Sequence, residues 1–296
     1  MARAKADERQ FDLFVTYLTD LPLRDQRDTM ERPFFSLAKS KRTVPIEYTV
    51  GDVWVRVSAP ANIGMATIYD ADVLIWAASQ INEAKERGLQ HSPRLSFKPY
   101  DLLKAIHRGT SGIEYRRLRA ALKRLVATVV ETNIRADKGN RTAAFHWLER
   151  FDEKIDGDGN SDGMEITLPT WLYDGILEGR VLAITPAYFK ITGGLSRWLY
   201  RVCRKHAGNQ ATGWSFTFRQ LHLKSGSTQR FAEFARDLRR IVRADDLPEY
   251  HVEAYKGDRG DDCLSAVRRT LLAPGHPARD PELLQQVGKR RTRPRL

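Results

Sequence analysis

Apolar residues recur at matching intervals in two separate stretches of the chain. Tyr115, Leu118, Leu122 and Leu125 follow at steps of three, four and three residues, and so do Phe231, Phe234, Leu238 and Ile241. At about 100° per residue, this spacing gathers each set on one stripe of an α-helix. On the second helix Gln229, Arg236, Arg240 and Arg243 then project from the opposite face. Ser227 is the expected N-cap of that helix, with Gly226 making a tight turn in front of it.

Each helix closes a longer repeat. Residues 96–125 read SFKPYDLLKAIHRGTSGIEYRRLRAALKRL, and residues 215–241 read SFTFRQLHLKSGSTQRFAEFARDLRRI. Both open with Ser-Phe in a short β-like run, then pass through a short helix (99–107 and 218–224) and a Gly/Ser/Thr turn. The segments beyond the two helices repeat as well. ATVVETNI, DKGNR and TAAFHWLERF come after the first helix, and EYHVEAY, KGDRGD and CLSAVRR after the second; both read as β-hairpins. Helix, turn, helix and a two-stranded hairpin with a basic tip are the parts of a winged helix.

The predicted fold class is therefore α+β, with two tandem winged-helix domains. Residues 1–32 form an N-terminal helical extension with a helix at 8–19. The first domain spans 33–168, the second 169–273, and a flexible basic tail 274–296. Alternation around Gly51-Asp52 predicts a further hairpin over 44–58, whose Val53, Val55 and Val57 share one face and are expected to support self-association. Helices are expected over 70–87, with Val73, Leu74, Ala77 and Ile81 inward, and over 196–207, with Leu199, Val202 and Cys203 inward. Trp76, Trp198 and Tyr200 read as core rather than as base-stacking platforms.

Charge sharpens the picture. The net charge is +12 and the pI about 9.8. Residues 90–150 hold thirteen Lys/Arg against five Asp/Glu, and residues 186–270 sixteen against nine. Residues 151–180 hold two against eight, an acidic connector between two basic blocks. One basic amphipathic helix reads most plainly as a solvated surface. Two such helices, each followed by a hairpin, point to a polyanion, with the second helix of each unit fitting a major groove. The expected DNA contacts in the first unit are Arg116, Arg117, Lys123 and Arg124, with Lys138 and Arg141 on its wing. In the second they are Gln229, Arg230, Arg236, Arg239, Arg240 and Arg243, with Lys256 and Arg259 on the wing.

No enzyme motif accompanies them. The histidines never flank a single apolar residue, as a metal-dependent nickase requires, and GGLSRW and KSGST do not make a phosphate-binding loop. DGDGNSDGME at 156–165 imitates a calcium loop, but started at Asp156 or Asp158 its twelfth position falls on Thr167 or Pro169, where a carboxylate must close the shell. Cys203 and Cys263 lack ligand spacing, so neither a disulfide framework nor a zinc site is expected. The prediction is no catalytic residue, no metal and no cofactor. No apolar run approaches a membrane span and Asp7, Glu8 and Arg9 break any signal peptide, so a cytoplasmic protein without membrane contact is expected.

Over about 34–270 the chain resembles the replication initiator protein A (RepA) family of plasmid initiators, with RepC initiators of IncQ-type plasmids similar in plan. The resemblance lies in the repeated unit, the hairpin IEYTVGDVWVRVSAP, the block ATIYDADVLIWAASQI and the segment ITPAYFKITGGLSRWLYRVCRKHAG. It implies binding of repeated origin DNA (iterons) by two winged helices and origin opening with host initiator and helicase proteins. It also implies a monomer that binds DNA and a dimer that is inactive. The alternative is a transcriptional regulator with two winged helices. The segments at 66–81 and 184–208 favour replication.

Overall fold

Both predicted helical stripes are buried in the computed structural model, which describes residues 14–16, 21–135, 142–157 and 161–279. The chain begins with β1 (Phe14–Val15) and β2 (Arg24–Gln26), followed by the hairpin β3 (Ile46–Val50) and β4 (Val53–Ser58). Helix α1 (Ala71–Glu86) is buried on every side from Ala71 to Asn82, its polar Asp72, Ser79, Gln80 and Asn82 included. Then come β5 (Arg94–Phe97), α2 (Pro99–Ala105) and α3 (Gly112–Ala127). Leu118, Leu122 and Leu125 of α3 face the core and Tyr115 packs at its margin. Strands β6 (Val129–Thr132), β7 (Ala143–His146), β8 (Arg150–Ile155) and β9 (Ser161–Thr167) follow, then helix α4 (Thr170–Leu177), which packs against α1.

The second unit holds β10 (Val181–Ala183), α5 (Gly194–His206), β11 (Trp214–Thr217), α6 (Phe218–Ser225), α7 (Phe231–Ala244), β12 (Tyr250–Lys256) and β13 (Asp262–Arg268). A capping box between Thr217 and Gln220 starts α6, and Gly226 ends it at φ 59°. A side chain at Gly226 would strike Pro33, 2.5 Å from the Cβ position. Gly194 lets α5 approach the Leu37 carbonyl, which would lie 1.9 Å from any Cβ there. Trp76, Trp198 and Tyr200 are core residues, as the sequence indicated.

Sheet pairing departs from the sequence reading in the first unit. In the second, β11, β13 and β12 form a sheet in that order, so the expected hairpin stands beside the helix pair. In the first, the hairpin expected as the wing, β6–β7, pairs with β4 in a sheet ordered β3-β4-β6-β7. The strand at the start of the repeat, β5, pairs instead with β9, and β9 with β8. The hairpin beside α2 and α3 is thus β8–β9, whose strands come from the acidic stretch read from sequence as an inter-domain connector; residues 158–160 between them lie outside the described residues.

Three smaller expectations also change. Phe14–Val15 is a strand parallel to β5, not part of a helix, and the rest of 8–19 is largely outside the described residues. Helix α7 begins at Phe231 with Arg230 as its N-cap; Ser227 instead accepts from Gln229 N–H at 3.2 Å within the preceding turn. Val55 and Val57 are fully buried in the unit's own core, so that valine face is not offered to a second chain.

An N-terminal strap joins the units. Strand β2 pairs with β10, and three carboxylates along residues 25–31 each meet a cation from elsewhere. Asp25 pairs with Arg201 of α5 at 2.5 and 3.0 Å, and Asp28 with Arg135 at 2.6 Å. Glu31 takes Lys205 at 2.7 Å, His206 at 2.7 Å and Lys224 at 2.8 Å. Between the units, Asp72 of α1 accepts from Arg197 of α5 at 2.6 Å and from Arg108 at 2.8 Å. Arg42 donates to the Gly226 carbonyl at 2.6 Å, anchoring the turn between α6 and α7.

Candidate nucleic-acid interface

Helix α7 supplies the more open basic face. Phe234, Leu238 and Ile241 seat it in the core, which turns Arg236, Arg239, Arg240 and Arg243 outward, with Arg230 at its start. Arg230, Arg236 and Arg243 make no ion pair with any described residue. Arg240 leans toward Asp237 at 3.3 Å, and the Gln229 side-chain amide donates to the same carboxylate at 2.9 Å. Arg239 reaches across to the hairpin, where Asp262 accepts from it at 2.5 Å and from Lys256 at 2.9 Å. Those bonds, from Lys256 first and then Arg239, hold the Asp262 carboxyl below the usual carboxylate range. Arg259 is exposed at the hairpin tip without an ion pair among the described residues. Asp258, Asp261 and Asp262 outnumber Lys256 and Arg259 there, so this tip is less basic than expected.

The first unit carries fewer free cations. Arg116 and Lys123 are exposed and unpaired among the described residues. Arg117 is hydrogen-bonded to Glu114. Arg124, an expected DNA contact, is half-buried and makes two bonds of 2.7 Å to Asp70 at the start of α1. These bonds tie α3 to the start of α1. Arg119 makes the matching pair of bonds, both 2.7 Å, to Glu153 on β8, and these hold the Glu153 carboxyl below its ordinary range. Lys138 and Arg141 lie outside the described residues. The hairpin that does flank α3 is acidic: its described part holds Asp152, Glu153, Asp156, Asp162 and Glu165 against Arg150 and Lys154.

Some exposed residues beside these faces were not singled out by the sequence. Tyr100 of α2 and Ile113 at the start of α3 are exposed, and Lys104 lies over the Tyr100 ring at 5.7 Å. Tyr255 is exposed on β12 beside Lys256. The outward phase of its strand was the available signal, since Tyr250 and Val252 point inward and Tyr255 does not. Two paired helices with arginine at the exposed face, each beside a hairpin, can neutralise phosphates and present guanidinium groups to base edges. None of the helices among the described residues is long and apolar enough to cross a membrane.

The profile of the family described as replication initiator protein A matches residues 24–252. A curated protein of Wigglesworthia glossinidia brevipalpis, provisionally described as a replication protein, is 35% identical over 233 residues, covering 77% of this chain and 84% of that one. A crystal structure of domains 2 and 3 of RctB superposes with a TM-score of 0.57 over 80% of this chain and 96% of that one, at 13% identity. A second structure of the same RctB domains gives a TM-score of 0.53, also at 13% identity, over 79% and 94%. These two similarities concern the mixed α and β fold.

Proposed function

The chain belongs to the replication initiator protein A family, and from that premise we propose that it is a non-enzymatic plasmid initiator that binds repeated origin DNA through two winged-helix units. The observation that carries this reading is α7. Its buried stripe fixes its roll, and the opposite face offers Arg236 and Arg243 unpaired to a groove. In this reading α5, β11, α6, α7 and the β12–β13 hairpin form the second winged helix, with α7 in the major groove and Arg259 at the phosphates. In the first, α3 enters the groove with Arg116 and Lys123. Its acidic hairpin is repelled by the backbone, so that unit grips less by its wing than by its helix.

Host initiator and helicase proteins then act on the opened origin, in the cytoplasm, and a dimer in equilibrium with the DNA-binding monomer limits initiation. A transcriptional regulator would bind duplex DNA by the same contacts. The two are separated by asking whether the gene with its flanking repeats sustains a replicon lacking its own initiator. Maintenance of that replicon is expected, together with a gel shift on the repeats. Repression of a promoter without replication would overturn the reading.

A further inference from the structure

We propose that His251, Glu253 and His276 bind a divalent transition-metal ion of the zinc class, which staples the segment after β13 to the second unit's hairpin. No spacing in the sequence announces such a site. His251 and Glu253 share the outward face of β12, whereas His276 is brought beside them only because residues 273–279 fold back. One ligand atom from each of the three lies within 4.8 Å of the others. Two imidazoles and one carboxylate, with water completing a tetrahedron, are an ordinary donor set for zinc.

The surroundings of His251 add an independent observation. Asp245 accepts at its Nδ1 from 2.7 Å, which fixes the tautomer and turns the Nε2 lone pair outward. That nitrogen faces Glu253 Oε1 at 2.9 Å. Two electron-rich atoms at this distance require a positive charge, either a second proton or a metal ion. A proton would serve the two of them alone, whereas the third donor makes the set complete for a metal. Asp245 is itself fixed by Val252 N–H at 3.0 Å and by Arg269, whose guanidinium also donates to the Ala278 carbonyl at 3.0 Å. The carboxylate behind the histidine and the segment that carries His276 therefore hang on the same arginine. With both imidazoles neutral, Glu253 and Asp245 offset two of the three positive charges that the ion and Arg269 bring. Closing the site costs the bond that Ala278 N–H donates to His276 Nδ1 at 3.1 Å and a small rearrangement of the ligands, in which the 2.9 Å approach of His251 and Glu253 widens. Glu253 is exposed and can supply that movement.

The test uses the full, untagged chain, stripped with chelator and titrated with Co²⁺ while the visible absorption of a tetrahedral ion is followed; Zn²⁺ then competes. One equivalent is expected, and His276→Ala and Glu253→Gln should each abolish stoichiometric binding. Both residues stand at the surface of the cluster, and circular dichroism verifies that these variants fold. Asp245→Asn, which suits the left-handed backbone at φ 44°, should weaken binding about 10- to 100-fold without removing a ligand. Zinc should also slow proteolysis within residues 273–279 of the wild-type chain only. Absence of uptake by the wild type overturns the proposal, as does uptake that survives both ligand variants.

Discussion

Arg201→Met is the sharpest probe of how the two units are held together. The Arg201 and Asp25 side chains are 2% and 3% exposed, and the guanidinium makes two bonds to Asp25 and one of 2.8 Å to Thr29. Burial alone would lower the Arg201 pKa, yet the Asp25 charge more than compensates and raises it. Methionine fills much of the same volume but leaves a buried carboxylate and a hydroxyl without their donor. Breaking a buried pair in this way costs about 3–5 kcal/mol. For a chain of this size that lowers Tm by roughly 6–20 °C. The double variant Arg201→Met/Asp25→Leu removes both charges and should recover most of the loss, since well-packed apolar replacements of buried pairs are commonly neutral or stabilising. Urea unfolding of the wild type, both single variants and the double variant gives the coupling directly. A single variant as stable as the wild type, or a double variant worse than either single one, would refute the account of the strap.

Arg236→Ala/Arg243→Ala should leave circular dichroism unchanged while reducing the slope of log affinity against log salt by about 1.8, at about 0.9 for each phosphate no longer neutralised. If both arginines read guanine, discrimination falls further, by roughly 1–3 kcal/mol each, measured by gel shift on matched and mismatched repeats. Asp262→Asn frees Arg239 and Lys256 from their shared carboxylate, so binding to unrelated duplex should tighten and its salt slope steepen by about 1–2. An unchanged slope on random DNA would sink that reasoning. Burial would push the Glu31 carboxyl up, but bonds from His206, Lys205 and Lys224 overcome it and hold the carboxyl well below its usual range. Its stabilisation is therefore fully present above the unfolded value of 4.5 and drains away as pH falls below it. The Tm gap between wild type and Glu31→Gln should be widest near neutrality and narrow steadily under acid.

Local periodicity made much of this architecture readable. The stripes of α3 and α7, the inward residues of α1 and α5 and the hairpin after α7 all depend on residues within a few turns of one another. The first unit's hairpin did not, because 129–146 and 150–167 both form hairpins after α3. Only pairing with β4, some seventy residues earlier, decides which of them flanks the helix. The β8–β9 segment passed for a linker because the sequence between its strands is rich in the glycine, aspartate and asparagine that turns and flexible connectors share. The state of the arginines was equally hidden. Arg124 and Arg236 look alike on a helical projection, but Asp70 captures the first from 54 residues away and nothing described captures the second.

The strap has a temporal consequence. Its carboxylates leave the ribosome early, whereas Arg201, Lys205, His206 and Lys224 emerge about 170 to 200 residues later. At roughly 5–20 residues per second, Asp25 and Glu31 wait on the order of ten seconds or more before their partners exist. The β3-β4-β6-β7 sheet can close once residue 146 has emerged, well before the seam with the second unit. During this interval the nascent chain carries that closed sheet, with Asp28 already matched by Arg135, while Asp25 and Glu31 await their partners on α5 and α6. The separation between α3 and α7 is consequently set only after the first sheet can close.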